Sequence, residues 1–119
     1  MEQCVLVLIA NTTVEEPLFD WLLDYSDEMV FSSQVVDCHG IEHAALSLRE
    51  QVTGRQPKLQ VELQVPLAEA RAVCTALGDA FPSAGIRYWI APVIEAGYLG
   101  RSEAGRQDDE SDASTENVT

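Results

Sequence analysis

Basic side chains are scarce. Of 119 residues, 7 are lysine or arginine and 20 are aspartate or glutamate, for a formal net charge of −13. So few cations exclude the phosphate-neutralising footprint of a nucleic-acid-binding protein. They also leave little to hold an anionic membrane surface. Cysteine is sparse too: Cys4, Cys38 and Cys74 are an odd number without C-x-x-C spacing, which argues against a disulfide framework. No apolar run approaches the roughly 20 residues of a membrane span. Met1-Glu2-Gln3-Cys4 lacks a basic n-region, and the apolar run after it is too short and too β-branched for a signal peptide. A reduced, cytoplasmic setting is the expectation.

What is present suffices for one domain. The chain is 46% hydrophobic, and its length falls within the single-domain range. Residues 1–100 carry 14 acids and 5 bases, and residues 101–119 carry 6 acids and 2 bases. The last stretch has Val118 as its one large apolar residue, too little burial to offset the entropy of ordering. The reading is a folded domain over 1–100 and a disordered acidic tail over 101–119.

The order of elements follows from periodicity. Cys4 to Ala10 is apolar on both faces, as a central covered strand requires. Thr13 with Glu16 forms a capping box ahead of a helix whose inner face is Val14, Leu18, Trp21, Leu22 and Tyr25. Met29 to Cys38 reads as a strand. Lys58 to Val65 is the cleanest strand, with Leu59, Val61, Leu63 and Val65 facing one way and Lys58, Gln60, Glu62 and Gln64 the other. Pro66 ends it and opens a second helix with the stripe Ala70, Val73, Cys74, Leu77 and Phe81. Phe81 to Gly85 is a turn, and Ile86 to Ile94 a last strand broken by Pro92. Between the second and third strands, Gly40 to Gln56 is too long for a tight hairpin. Ser47 and Glu50 predict a short helical piece near 47–53. The order βαββαβ predicts an α+β, ferredoxin-like fold: an antiparallel four-stranded sheet with two helices on one face.

The ordered set resembles the PII-like superfamily of nitrogen-regulatory signalling proteins from about residue 28 to residue 100. SSQVVDCHGIE (32–42) is similar to that family's strand leading into its long second loop. KLQVELQVPLAEARAVCTAL (58–77) is similar to its third strand and second helix, and GIRYWIAPVIEAGYLG (85–100) to its closing strand. The resemblance implies a homotrimer with clefts between subunits. It also implies a loop between the second and third strands that senses a small ligand and docks a partner protein, such as a transporter. CHG followed by LSLREQVTGRQ resembles an uncharacterised branch often encoded beside heavy-metal efflux systems, which implies a metal-efflux transporter as target. Trp89 would suit a buried trimer sheet face. Family members that bind ATP hold its phosphates with a glycine- and lysine-rich loop before the last strand. Here that loop is Phe81 to Gly85, Ile86 follows in place of the lysine, Arg87 points to the other face, and Glu95-Ala96 replaces a basic pair. ATP is therefore not expected by the usual route, because a triphosphate needs donors and positive charge.

Cys38, His39 and His43 are the one cluster of soft ligands, suited to Cu, Ni or Zn and completed by an acid, a water or a neighbouring subunit. The plainer reading makes Cys38 an apolar strand end and the histidines solvated loop residues. Gly40, Glu42, Arg49, Arg55 and Lys58 mark the ligand or partner loop. Arg49, Arg55 and Lys58 could meet a carboxylate or phosphate, or pair with Glu42, Glu50 or Glu62 at the surface, where such pairs contribute little. Cys4 and Cys74 read as buried small hydrophobes. Catalysis is not expected. Cys38 and His39 alternate across a strand, and no nucleophile, base and orienting acid are jointly visible. Two functions remain: a PII-like regulator sensing a ligand or metal ion, or a CutA-like metal-binding and buffering protein without a regulatory target.

Overall fold

Alternation along the first strand decides the architecture. In the computed structural model, which describes residues 3–40 and 54–100, strand β1 spans Gln3–Asn11. Cys4, Leu6, Leu8 and Ala10 join the main core, while Val7 and Ile9, also buried, lie outside it. Successive residues of a strand face opposite ways, so β1 is apolar on both faces, as its composition predicts.

The remaining elements are helix α1 (Glu15–Tyr25), strand β2 (Phe31–His39), strand β3 (Arg55–Pro66), helix α2 (Leu67–Ala80) and strand β4 (Arg87–Pro92). The sheet order is β2-β3-β1-β4, every neighbouring pair antiparallel. Leu18 and Leu22 from α1 and Ala70, Val73 and Leu77 from α2 close over Leu59, Val61, Leu63 and Val65 of β3. Both helices thus cover one face, and the α+β ferredoxin-like arrangement is the one the element order predicts. Each fully buried leucine here is worth about 1.5–3 kcal/mol relative to exposure.

Several boundaries differ from the sequence reading, each for a physical reason. No capping box forms at Thr13. A 3-10 turn occupies Thr12–Val14, and α1 starts at Glu15 without a side-chain cap. With Thr13 as cap, Pro17 would sit where the first intrahelical N–H bond is needed. Starting at Glu15 moves it among the leading positions that need none. Strand β2 begins at Phe31 and not Met29, because the Met29 N–H closes a turn onto the Ser26 carbonyl at 3.1 Å. Strand β3 begins three residues early, since Arg55 still pairs with His39. Pro57 is accommodated because β1 stops at the partner of Lys58, leaving Pro57 with β2 alone. Strand β4 is shorter than predicted and ends at Pro92. The helical piece expected near 47–53 and the tail 101–119 lie outside the described residues. Among the described residues, no helix is long and apolar enough to cross a membrane.

Candidate functional site

Four strands and a turn converge at one end of the helix-free face. Cys38, one residue before the end of β2, lies opposite Gln56, Lys58 of β3 lies opposite Asn11 of β1, and Arg87 of β4 lies opposite Ile9. These residues, with His39, Gly40 and Gly85, line a cleft of about 480 Å³. Gly40 and Gly85 both adopt left-handed backbone, φ 79° and 67°, which costs glycine least.

The electrostatics of this cleft oppose those of the chain. The protein carries −13, yet two cations, Lys58 and Arg87, line the cleft, and no aspartate or glutamate does among the described residues. Lys58 Nζ donates to Asn11 Oδ1 at 2.6 Å, which aims the ammonium along the strand ends. The Arg87 guanidinium stacks over Trp89, 5.8 Å from the ring centroid, a cation–π contact that holds it in place while leaving its in-plane donors for an anion. Donors of one sign in a recess concentrate the field there, and charge-assisted bonds to an anion are the strong kind.

Of the residues singled out from sequence, Cys38, His39, Gly40 and Lys58 meet at the cleft. Arg55 does not. It pairs with Asp37 at 3.5 Å, on the face opposite Cys38 and Lys58. Lys58 goes to Asn11, and Glu62 instead accepts from Gln60 Nε2 at 3.1 Å. His43, Glu42 and Arg49 lie outside the described residues, so the metal-ligand set is described in Cys38 and His39 alone. Those two are successive strand residues and face opposite ways. Among the described residues, no three His, Cys, Asp or Glu side chains gather as a metal site. Arg87 and Asn11 were not among the sequence candidates. Their place follows from the pairing of β1 with β4 and β3, for which period-2 alternation alone gives no register.

A second recess, of about 230 Å³, lies on the helix side of the same turn. Leu8, Cys74, Leu77, Phe81, Ile86 and Tyr88 line it, and it shares Gly85 with the cleft. Burial, then the neighbouring Cys4, push the Cys74 thiol above its ordinary value, so at neutral pH it is a neutral small hydrophobe. Cys4 is buried, its thiol donating to the Val65 carbonyl at 3.3 Å. Trp89 stands on the helix-free sheet face, 42% exposed.

Comparison with known proteins gives three results. The model of a family of unknown function, DUF3240, matches residues 1–100. No curated protein matches the chain. Among solved structures, a DUF3240 family protein from Shewanella baltica is 26% identical, with a TM-score of 0.63, covering 82% of this chain and 96% of its own. A protein from Thermus thermophilus described as a putative PII-like signaling protein is 14% identical, with a TM-score of 0.52, covering 78% of this chain and 87% of its own. A Bacillus cereus protein related to NIF3 is 21% identical, with a TM-score of 0.51, covering 81% of this chain and 27% of its own. The last two likenesses concern the fold alone.

Proposed function

The chain belongs to the DUF3240 family and has a PII-like fold, and from that premise we propose that it is a regulatory protein that senses a small phosphate- or carboxylate-bearing ligand in the cleft between Lys58 and Arg87. The observation that carries this reading is the charge inversion: an acidic chain collects two cations and no described carboxylate at one recess. The cleft lies where β2 runs out at Gly40. The regulator is a homotrimer without catalytic activity of its own, and its target is a protein, a metal-efflux transporter being the class that the family resemblance favours. Two cations suit a compact anion better than a triphosphate.

Calorimetric titration of phosphate, pyrophosphate and succinate into the full-length protein tests this reading. At least one should bind saturably. Because one charge-assisted bond contributes about 1.5–3 kcal/mol, Arg87→Ala or Lys58→Ala should weaken binding about tenfold or more. Absence of saturable binding, or binding indifferent to both substitutions, contradicts it. One observation favours the second reading, metal binding: Cys38 and His39 both line the cleft, although their side chains alternate across the strand. Tight Zn(II) or Ni(II) uptake abolished by Cys38→Ser, without anion binding, would establish that reading instead.

A further inference from the structure

Helix α1 turns a self-repelling face to solvent. Leu18 and Leu22 hold it to the core. On the opposite side Glu16, Asp20 and Asp24 follow one another at i, i+4 spacing, all exposed, and like charges so placed destabilise a helix. Asp24 stands in the last turn, where the helix dipole favours a cation, and no basic residue is present there. Asp27 and Glu28 follow in the connection to β2. With Glu15 at the helix start, residues 15–28 hold these six acids and no base. The described cations, Arg55, Lys58, Arg71 and Arg87, come from β3, α2 and β4, and the one ion pair found among the described residues joins Arg55 to Asp37. Nothing in the protomer balances this face.

Apolar side chains stand among the acids. Leu23, three residues past Asp20, is 55% exposed, and Val30, just before β2, is 79% exposed. Trp21 and Tyr25 stack with ring centroids 5.1 Å apart, and Tyr25 is exposed. Aromatic faces attract an ammonium or guanidinium, so the rings favour the same sign of partner as the carboxylates do. An occupant must therefore bring cations and apolar groups together. Nucleic acid and an anionic membrane are repelled, and so is a second copy of a chain carrying −13. A basic amphipathic protein segment meets both requirements. Cytoplasmic loops of membrane proteins carry an excess of lysine and arginine, which agrees with a transporter as target.

We propose that the outer face of α1, with Leu23 among Glu16, Asp20 and Asp24, is the docking surface for a basic amphipathic segment of the target protein. Lysines or arginines of that segment pair with the three carboxylates, and one of its apolar side chains covers Leu23. The inference rests on the reading that the chain regulates a protein target, and it is independent of what occupies the cleft.

Fluorescence anisotropy of a labelled lysine–leucine peptide with helical amphipathic spacing, titrated with the full-length protein at physiological salt, tests it. Binding should saturate and be at least about tenfold tighter than that of a scrambled peptide of the same composition, because only the ordered spacing presents one apolar face. Asp20→Lys turns two repelling i, i+4 pairs into attracting ones. It should raise the melting temperature and yet weaken peptide binding about tenfold. Leu23→Ala should weaken binding about tenfold as well, with the melting temperature unchanged. Asp109→Lys, the same charge change in the acidic 101–119 stretch, should bind like wild type. Equal binding of the two peptides, Asp20→Lys or Leu23→Ala binding like wild type, or Asp109→Lys weakening binding as much as Asp20→Lys each overturn the proposal. The anion titration separates this failure from that of the function. If anions bind and the peptide does not, the sensing stands and the docking falls. If the peptide binds through α1 and no anion binds, the docking stands and the sensing falls.

Discussion

Cys74 shows how a single side chain carries a pH dependence. Burial keeps its thiol protonated in the fold, whereas in the unfolded chain it ionises near pH 8.5, about the ordinary cysteine value. Its stabilising contribution is complete below that pH and fades as the pH rises toward the higher folded value. Urea denaturation from pH 7 to 10 should therefore show a decline in stability that Cys74→Ala flattens. An identical pH slope in the variant contradicts the raised value. At this scale the sequence was informative for Lys58 and Cys38, whose residue types and strand position mark them. It was silent on Arg87, because the arginine reaches the cleft only through the pairing of β4 with β1, and that pairing is a long-range contact. It pointed Arg55 toward Glu42, Glu50 or Glu62, whereas the partner is Asp37, reached by diagonal pairing across two strands, which spacing along the chain does not reveal.

Among elements, β3 is where local pattern and global fold agree. Leu63 is fully buried and Gln64, its neighbour, is exposed on the other face. Leu63→Ala should cost about 2–5 kcal/mol, as large-to-small core changes do. Gln64→Ala should stay within about 0.5 kcal/mol. Equal losses in urea denaturation would show that the two faces are not distinguished in this way. The body of this strand was legible because alternation is written in the residues themselves. Its first three residues were not, because Arg55 to Pro57 are strand only by virtue of pairing with β2. The start of α1 was misread for a different reason. Thr13 and Glu16 satisfy a local capping rule, but Pro17 penalises that register.

For the whole molecule, the surface left unused by one protomer is the informative part. Trp89 is half-exposed on the helix-free face, and the segment after β4 holds aliphatic side chains in solvent. Composition announced the acidity of the chain but not its inversion at one recess, since that depends on four separated segments meeting at the ends of their strands.

The most direct measurement is a heteronuclear NMR titration of the labelled full-length protein with pyrophosphate. Saturable shifts should centre on the amides of Gly40, Lys58, Gly85 and Arg87, while Gln3, Gln64 and Ala91 at the opposite end of the sheet stay still. Shifts that never saturate, or that centre anywhere but this cleft, would contradict an anion-sensing role.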